Sequence, residues 1–152
     1  MEVNGFYKKL NSLKSVCIDS VVLIYHLETI EPYDVLTRVL IEKIARGEIF
    51  CYISALTITE LMAKPYRIKD YSQISIFEEF IESLPNTKIM PVNYDIAKFA
   101  ASLRGDYNLR TPDAIMLSTA AVTNSDAFIT NDIFLKKLNI RDIKILTLDE
   151  YL

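Results

Sequence analysis

The sequence predicts an α/β fold in which helices cover both faces of a parallel sheet of about five strands. Short β-branched segments alternate along the chain with longer segments whose apolar residues recur at helical spacing. The 152 residues suit one domain, and 51% of them are hydrophobic, which is enough to build a substantial core. With only three glycines and five prolines, the chain resembles neither a disordered nor a collagen-like protein.

Short apolar segments are predicted as strands at residues 15–18, 49–53, 88–90, 127–130 and 144–147. Helices are predicted at residues 33–46, 55–63, 74–84, 96–103, 112–123 and 133–138. We expect the helix at 55–63 to end before Pro65, and the helix at 112–123, apolar on nearly all sides, to be buried. Because no repeat or linker divides the chain, we predict a single domain over residues 1–152, with residues 1–15 as an N-terminal extension.

Composition limits the possible compartments and partners. Cys17 and Cys51 lie in separate apolar segments, so we predict two reduced core thiols, which suit a reducing compartment. No apolar run is long enough to span a membrane, and residues 1–13 lack the apolar stretch of a signal peptide, so a cytoplasmic location is expected. The net charge of −3 weighs against sequence-independent duplex binding and leaves room for a local basic patch.

Four acidic residues lie on the carboxyl side of the predicted sheet, the side on which parallel sheets bind ligands. They are Asp19, Glu60, Asp113 and Asp132. Each alone has a structural interpretation. Asp19 and Asp132 could cap the helices that follow them, the pattern from Thr57 to Glu60 matches a capping box, and Thr111 could cap a helix beginning at Pro112.

Considered as a group, the four acids favour a metal site. We expect no lysine or arginine to neutralise them, and like charges held close together need a counter-charge. Mg²⁺ or Mn²⁺ suits carboxylate oxygens, whereas isolated cysteines and a single histidine, His26, disfavour zinc. A histidine-pair ribonuclease is excluded, and no Walker A motif is present, so metal-assisted hydrolysis of a phosphodiester remains.

The segments that carry these acids resemble the PIN-domain nucleases, and among them the VapC-type toxins. The matching segments are VCIDS at 16–20, SALTITEL at 54–61, LRTPDAI at 109–115 and AFITND at 127–132. The resemblance implies strand order 3-2-1-4-5 and a metal site formed by the four acids, supported by Ser20, Thr130 and Asn131. Thr130 would orient the site through Asp19, and Asn131 would support the turn.

The resemblance also implies an RNA substrate cut with Mg²⁺ or Mn²⁺, a homodimer and a cognate antitoxin. Candidate RNA contacts are the basic residues near the motifs, namely Arg110, Arg104, Lys64 and Lys136, with Arg110 the strongest candidate. Residues 1–15 depart from toxins that begin almost at the first strand, and we interpret them as an extra helix over a sheet edge or a dimer surface.

Three alternatives stay open. The chain could be a housekeeping PIN nuclease of RNA processing without an antitoxin, or a catalytically weak PIN binding module. A phosphatase with a nucleophilic aspartate fits poorly, because Val21 stands where such enzymes have a second aspartate.

Overall fold

The computed structural model describes residues 2–152 and contains a five-stranded sheet of order β3-β2-β1-β4-β5. All neighbouring strands are parallel. The strands are β1 (Ser15–Ile18), β2 (Phe50–Ser54), β3 (Thr87–Met90), β4 (Ala127–Thr130) and β5 (Ile145–Thr147). The predicted fold class and the implied strand order are therefore confirmed, and each strand boundary lies within one residue of its predicted position.

Helices connect the strands and cover both faces of the sheet. They are α1 (Val3–Asn11), α2 (Ser20–Leu27), α3 (Tyr33–Ala45), α4 (Ala55–Arg67), α5 (Tyr71–Ser83), α6 (Tyr94–Tyr107), α7 (Thr111–Val122) and α8 (Ile133–Lys137). A 3₁₀ helix, Leu148–Tyr151, follows β5. None of the helices between residues 2 and 152 is both long and apolar enough to cross a membrane.

Alternating side chains of the central strands form two hydrophobic cores. Val16 and Ile18 point to the larger core, which also contains buried residues of α1, α2, α3 and α5. Cys17 points to the opposite core, beneath α6 and α7. Helix α7 packs against β1, β2 and β4, which confirms its predicted central position and explains its apolar character on nearly all sides.

The two cysteines are free and fully buried, as the sequence predicted. Burial raises the pKa of the Cys17 thiol and of the Cys51 thiol well above the ordinary value. Since the thiolate is the reactive form, both residues are inert core side chains in the folded protein.

The helix expected to end before Pro65 continues to Arg67, so that prediction is wrong. Pro65 lies in the last turn, where its missing N–H removes only one helical bond. Its ring is buried and its carbonyl accepts a hydrogen bond from Asp70 N at 2.8 Å. Lys64, expected after the helix, therefore lies within it, one turn beyond Glu60.

The N-terminal extension is a helix, α1, that packs on α3 and on the final 3₁₀ helix. Phe6 and Leu10 of α1 are fully buried. Lys43 of α3 is also buried, and its Nζ donates hydrogen bonds to Asn11 Oδ1 at 2.6 Å and to Glu48 Oε2 at 3.0 Å. The extension is thus an integral part of the larger core.

Candidate active site

An open cavity of about 550 Å³, the acid pocket, lies at the carboxyl ends of β1 and β4 and is lined by all four predicted acids. Asp19 follows β1 and begins α2, while Asp132 lies between β4 and α8. Glu60 comes from α4, and Asp113 from the first turn of α7. The parallel sheet therefore brings together side chains that are up to 113 residues apart in the sequence, since Asp19 and Asp132 line one cavity.

Both carboxylate oxygens of Asp19 accept hydrogen bonds from neighbouring strands and helices. Thr130 Oγ1, fully buried at the end of β4, donates to Asp19 Oδ2 at 2.7 Å. The backbone N–H of Ser20 donates to Oδ1 at 2.7 Å, so Asp19 caps α2. Burial raises the pKa of Asp19, these two hydrogen bonds oppose the rise, and the charges of Glu60 and Asp113 add to it.

Ser20 joins Asp19 to Glu60. Its hydroxyl donates to Glu60 Oε2 at 2.5 Å and lies 3.3 Å from Asp19 Oδ1. A hydroxyl has one proton, so it serves one carboxylate at a time. The capping-box interpretation of Glu60 is wrong, because α4 begins at Ala55 with Ser54 as its cap and Glu60 is a helix-interior residue.

Asp113 is neutralised by a cation, which contradicts the expectation that no lysine or arginine would neutralise the four acids. Arg110 Nε lies 3.1 Å from Asp113 Oδ2, and Arg110 lines the acid pocket. The hydrogen bond and charge of Asp113 raise the pKa of Arg110, and the charges of Asp132 and Glu60 raise it further. The Arg110 side chain is 79% exposed, so the pair contributes little to stability and can open readily.

The start of α7 also differs from the prediction. Arg110 occupies the N-cap position, Thr111 is the first helical residue, and no side chain caps the helix. Asp113 lies in the first turn, where its charge interacts favourably with the helix dipole.

Asp132 has a capping role and faces the pocket as well. Its Oδ1 accepts hydrogen bonds from Phe134 N at 2.9 Å and from Leu135 N at 3.4 Å, so Asp132 is the N-cap of α8. Thr130 Oγ1 accepts from Asp132 N at 3.1 Å. The Thr130 hydroxyl therefore fixes the positions of two acids at once, since it also donates to Asp19.

Asn131 ties the pocket turn to the chain after β5. Its Oδ1 accepts a hydrogen bond from Asp149 N at 2.9 Å, and its Nδ2 lies 3.3 Å from Asp149 Oδ1. Tyr33 donates to the same carboxylate oxygen at 2.6 Å, and this bond raises the pKa of Tyr33. The sequence interpretation missed Asp149, although it comes shortly after a strand, as Asp19 and Asp132 do.

The donor set suits a hard divalent cation in kind, since the pocket offers carboxylate oxygens and contains no thiol or imidazole. Within residues 2–152, however, no three Asp, Glu, His or Cys side chains lie close enough together to hold a metal ion. Mg²⁺ commonly retains several waters and binds through one or two carboxylates together with substrate phosphates. The residues present fit that mode, and the four-carboxylate metal site stays a prediction.

Of the four predicted RNA-contacting residues, Arg110 is the one that lines the acid pocket in the described chain. Lys64 lies in a neighbouring cavity that shares Glu60 with it. Arg104 Nε donates to Leu109 O at 3.1 Å and fixes the α6–α7 loop. Lys136 pairs with Glu150, and both line a different cavity.

Comparison with known proteins gives a consistent family. Residues 16–140 match the sequence model of the PIN domain. Among solved structures, DNA-bound VapBC from Salmonella typhimurium superposes with a TM-score of 0.69 at 16% identity, covering 89% of this chain and 98% of that chain. A toxin–antitoxin complex from Klebsiella pneumoniae superposes with a TM-score of 0.64 at 23% identity, covering 87% of this chain and 96% of that chain. FitAcB from Neisseria gonorrhoeae superposes with a TM-score of 0.66 at 19% identity, covering 86% of this chain and 96% of that chain. A comparison of this sequence with curated protein sequences found no match.

Proposed function

Because the chain belongs to the PIN domain family, we propose that it is a divalent-metal-dependent endoribonuclease that hydrolyses RNA in the acid pocket. One observation carries the proposal: Asp19, Glu60, Asp113 and Asp132 come from four parts of the chain and line one open cavity. Such a cluster of like charges, partly removed from water, favours a bound cation.

Asp19, Asp113 and Asp132 would hold Mg²⁺ or Mn²⁺ directly or through water, and Glu60 would complete the site. When bound, the metal lowers the pKa of a water and stabilises charge on the leaving oxygen. The protein's own contribution is orientation. Thr130 and Ser20 fix the Asp19 carboxylate, and the Ser20 hydroxyl holds Glu60 beside it. From there Glu60 would help to position the attacking water.

Arg110 would have two roles. Without metal, it neutralises Asp113 across the pocket mouth. With a metal held in the pocket, Asp113 would serve as one of its ligands, and the exposed Arg110 guanidinium would be free to contact a backbone phosphate of the RNA. The small energy of an exposed ion pair makes this exchange inexpensive.

We further propose that the protein is the toxin of a toxin–antitoxin pair, that it acts as a homodimer in the cytoplasm, and that an antitoxin silences it. The support is fold similarity to VapBC, to FitAcB and to a toxin–antitoxin complex. A small antitoxin gene beside this one, and co-purification of its product with this chain, would support the pairing. Cleavage without such a gene would favour the housekeeping nuclease.

The test of the nuclease compares Asp113→Asn with Asp95→Asn. Both aspartates lie in the first turn of a helix, α7 or α6, but Asp95 is exposed and lies outside the acid pocket. With Mn²⁺, the wild type and Asp95→Asn should cleave single-stranded RNA and melt at a higher temperature than without metal. Asp113→Asn should lose both properties and keep its fold.

A wild type that binds Mn²⁺ and RNA but cleaves nothing would favour the catalytically weak binding module. Full metal-dependent cleavage by Asp19→Asn would contradict the proposed site, because Asp19 has the most extensive hydrogen bonding of the four acids.

A further inference from the structure

A second cavity, of about 410 Å³, lies between α1, α8 and β5 and carries three lysines. We call it the lysine groove, after Lys9, Lys136 and Lys144, which line it together with Glu150. Ile145 and Leu146 of β5, both buried, form part of its floor. Residues 16–140 match the PIN domain, and Lys9, Lys144 and Glu150 lie outside them. The groove is therefore formed in part by residues beyond the matched segment.

The lysine groove carries uncompensated positive charge. Its lining has three lysines and one glutamate, which leaves two positive charges in a chain whose net charge is −3. Lys136 pairs with Glu150, whereas Lys9 and Lys144 form no ion pair within residues 2–152. Both line the same cavity, and the proximity of Lys144 lowers the pKa of Lys9. Two cations held this close are relieved by a bound anion.

We propose that the lysine groove binds a backbone phosphate of the RNA whose scissile bond lies in the acid pocket. The inference deepens the proposed function and rests on it. Lysine is suited to this task because its ammonium is a compact point charge that contacts phosphate without base specificity.

Helix α8 connects the two cavities. Asp132 caps it and lines the acid pocket, and Lys136, four residues later, lines the lysine groove. Four helical residues advance by about 6 Å, so one short stretch of single-stranded RNA can reach both cavities. Phe134 lies between them in the sequence, lines the acid pocket and is 60% exposed. An exposed aromatic ring at the edge of the acid pocket offers a face on which an unpaired base can stack.

The same features favour RNA over an acidic protein segment as the ligand. An acidic peptide would pair with the lysines, but the four carboxylates of the acid pocket, next to the N-terminus of α8, would repel it. An RNA strand carries its own phosphates to both cavities, and the metal that the acid pocket would hold offsets the repulsion there.

The experiment uses the full-length chain with Asp113→Asn as a silent background, and a labelled unstructured RNA oligonucleotide as the probe. The groove double variant carries Lys9→Gln together with Lys144→Gln. The control double variant carries Lys8→Gln together with Lys137→Gln, which removes the same charge from residues outside the groove. Binding is measured over a range of salt concentrations. If the groove lysines neutralise one phosphate, the salt slope should fall by about 0.7 and the affinity at about 0.15 M salt by about fourfold. The control pair should leave both values unchanged.

A dinucleotide with one phosphate provides a second readout, because it cannot occupy both cavities. In the active background, the groove variants should raise the KM for long RNA and leave cleavage of the dinucleotide unchanged. The inference would be overturned if the groove variants and the control variants changed RNA affinity and KM equally. It would also be overturned if polyglutamate displaced the labelled RNA from the groove at a lower concentration than unlabelled RNA does.

The two proposals fail separately. If the wild type cleaves RNA with metal while the groove variants bind and cleave like the control, the lysine groove is ordinary surface and the nuclease stands. If no RNA is cleaved but binding still depends on Lys9 and Lys144, the nuclease fails and the groove stands as an RNA-binding site.

Discussion

Thr130→Val isolates one hydroxyl that positions two acids of the pocket. Valine has the same shape as threonine and fits the fully buried site at the end of β4. The substitution removes the donor to Asp19 Oδ2 and the acceptor of Asp132 N. It therefore tests whether the orientation of these carboxylates, rather than their charge alone, determines activity.

The magnitude follows from the two lost bonds. A hydrogen bond to a charged group contributes about 1.5–3 kcal/mol, and an unpaired backbone N–H costs about 1 kcal/mol when water reaches it in part. Stability should fall by about 2–4 kcal/mol, which lowers the melting temperature of a chain this size by about 4–16 °C. Loss of a partner that orients a metal-ligating carboxylate typically reduces activity about 10–100-fold.

Thr147→Val is the matched control. Thr147 is the partner of Thr130 in the β4–β5 register, is equally buried, and donates from Oγ1 to Glu150 Oε1 at 2.7 Å. It lies outside the acid pocket. Its loss should lower the melting temperature in a similar way, while Mn²⁺ affinity and RNA cleavage stay at the wild-type level. Thr130→Ser, which keeps the hydroxyl, should restore both.

The reasoning is refuted if Thr130→Val and Thr147→Val lower the melting temperature alike and both cleave RNA at the wild-type rate with unchanged Mn²⁺ affinity. The hydroxyl would then be a structural bond only. A loss of cleavage that Thr130→Ser does not rescue would equally contradict it.

Three further predictions concern other parts of the chain. Arg110→Ala should tighten Mn²⁺ binding up to about fivefold in a fluorescence or calorimetric titration, because the exposed ion pair with Asp113 that competes with the metal contributes about 0.2–1 kcal/mol. Arg141→Ala removes the ion pair with Asp106 instead and should leave Mn²⁺ affinity unchanged. Asn11→Ala should destabilise the chain by about 1–3 kcal/mol in urea, because the buried Lys43 ammonium loses a partner; an unchanged midpoint would contradict the docking of α1. Burial lowers the pKa of His26, so the unfolded chain binds this proton more readily, and stability is full above about pH 6.5 and is lost as the pH falls below it. His26→Gln should flatten that decline, and an unchanged pH profile would contradict the assignment.

The fold was predictable because its evidence is local. Strands such as Ala127–Thr130 are short β-branched or apolar runs next to turn residues, and α7 is apolar all round because sheet and helices enclose it. Pro65 could not be placed in the same way. Its effect on α4 depends on burial and on the bond from Asp70, which are tertiary facts.

The candidate site was predictable to the level of the acids that share an edge, since the carboxyl ends of parallel strands meet there. The pairing of Arg110 with Asp113 was not, because it depends on where α7 begins and on a flexible side chain. Asp149 could have been found by applying the same rule to β5. The groove formed by Lys9 and Lys144 could not, because it depends on how α1 docks.

Capping and metal binding are compatible roles for these acids. Asp19 and Asp132 cap α2 and α8, and Asp113 lies in the first turn of α7, so three helix N-termini surround the pocket. Their partial positive charges stabilise carboxylates before any cation arrives. Asparagine caps helices as well as aspartate does, so Asp132→Asn keeps the start of α8, which uses Oδ1 alone, and removes the charge. Asp19→Asn also replaces one of the two oxygens that accept from Ser20 and Thr130, so it changes a hydrogen bond as well. A loss of cleavage in Asp132→Asn would then report on the negative charge that a cation needs, separately from the fold.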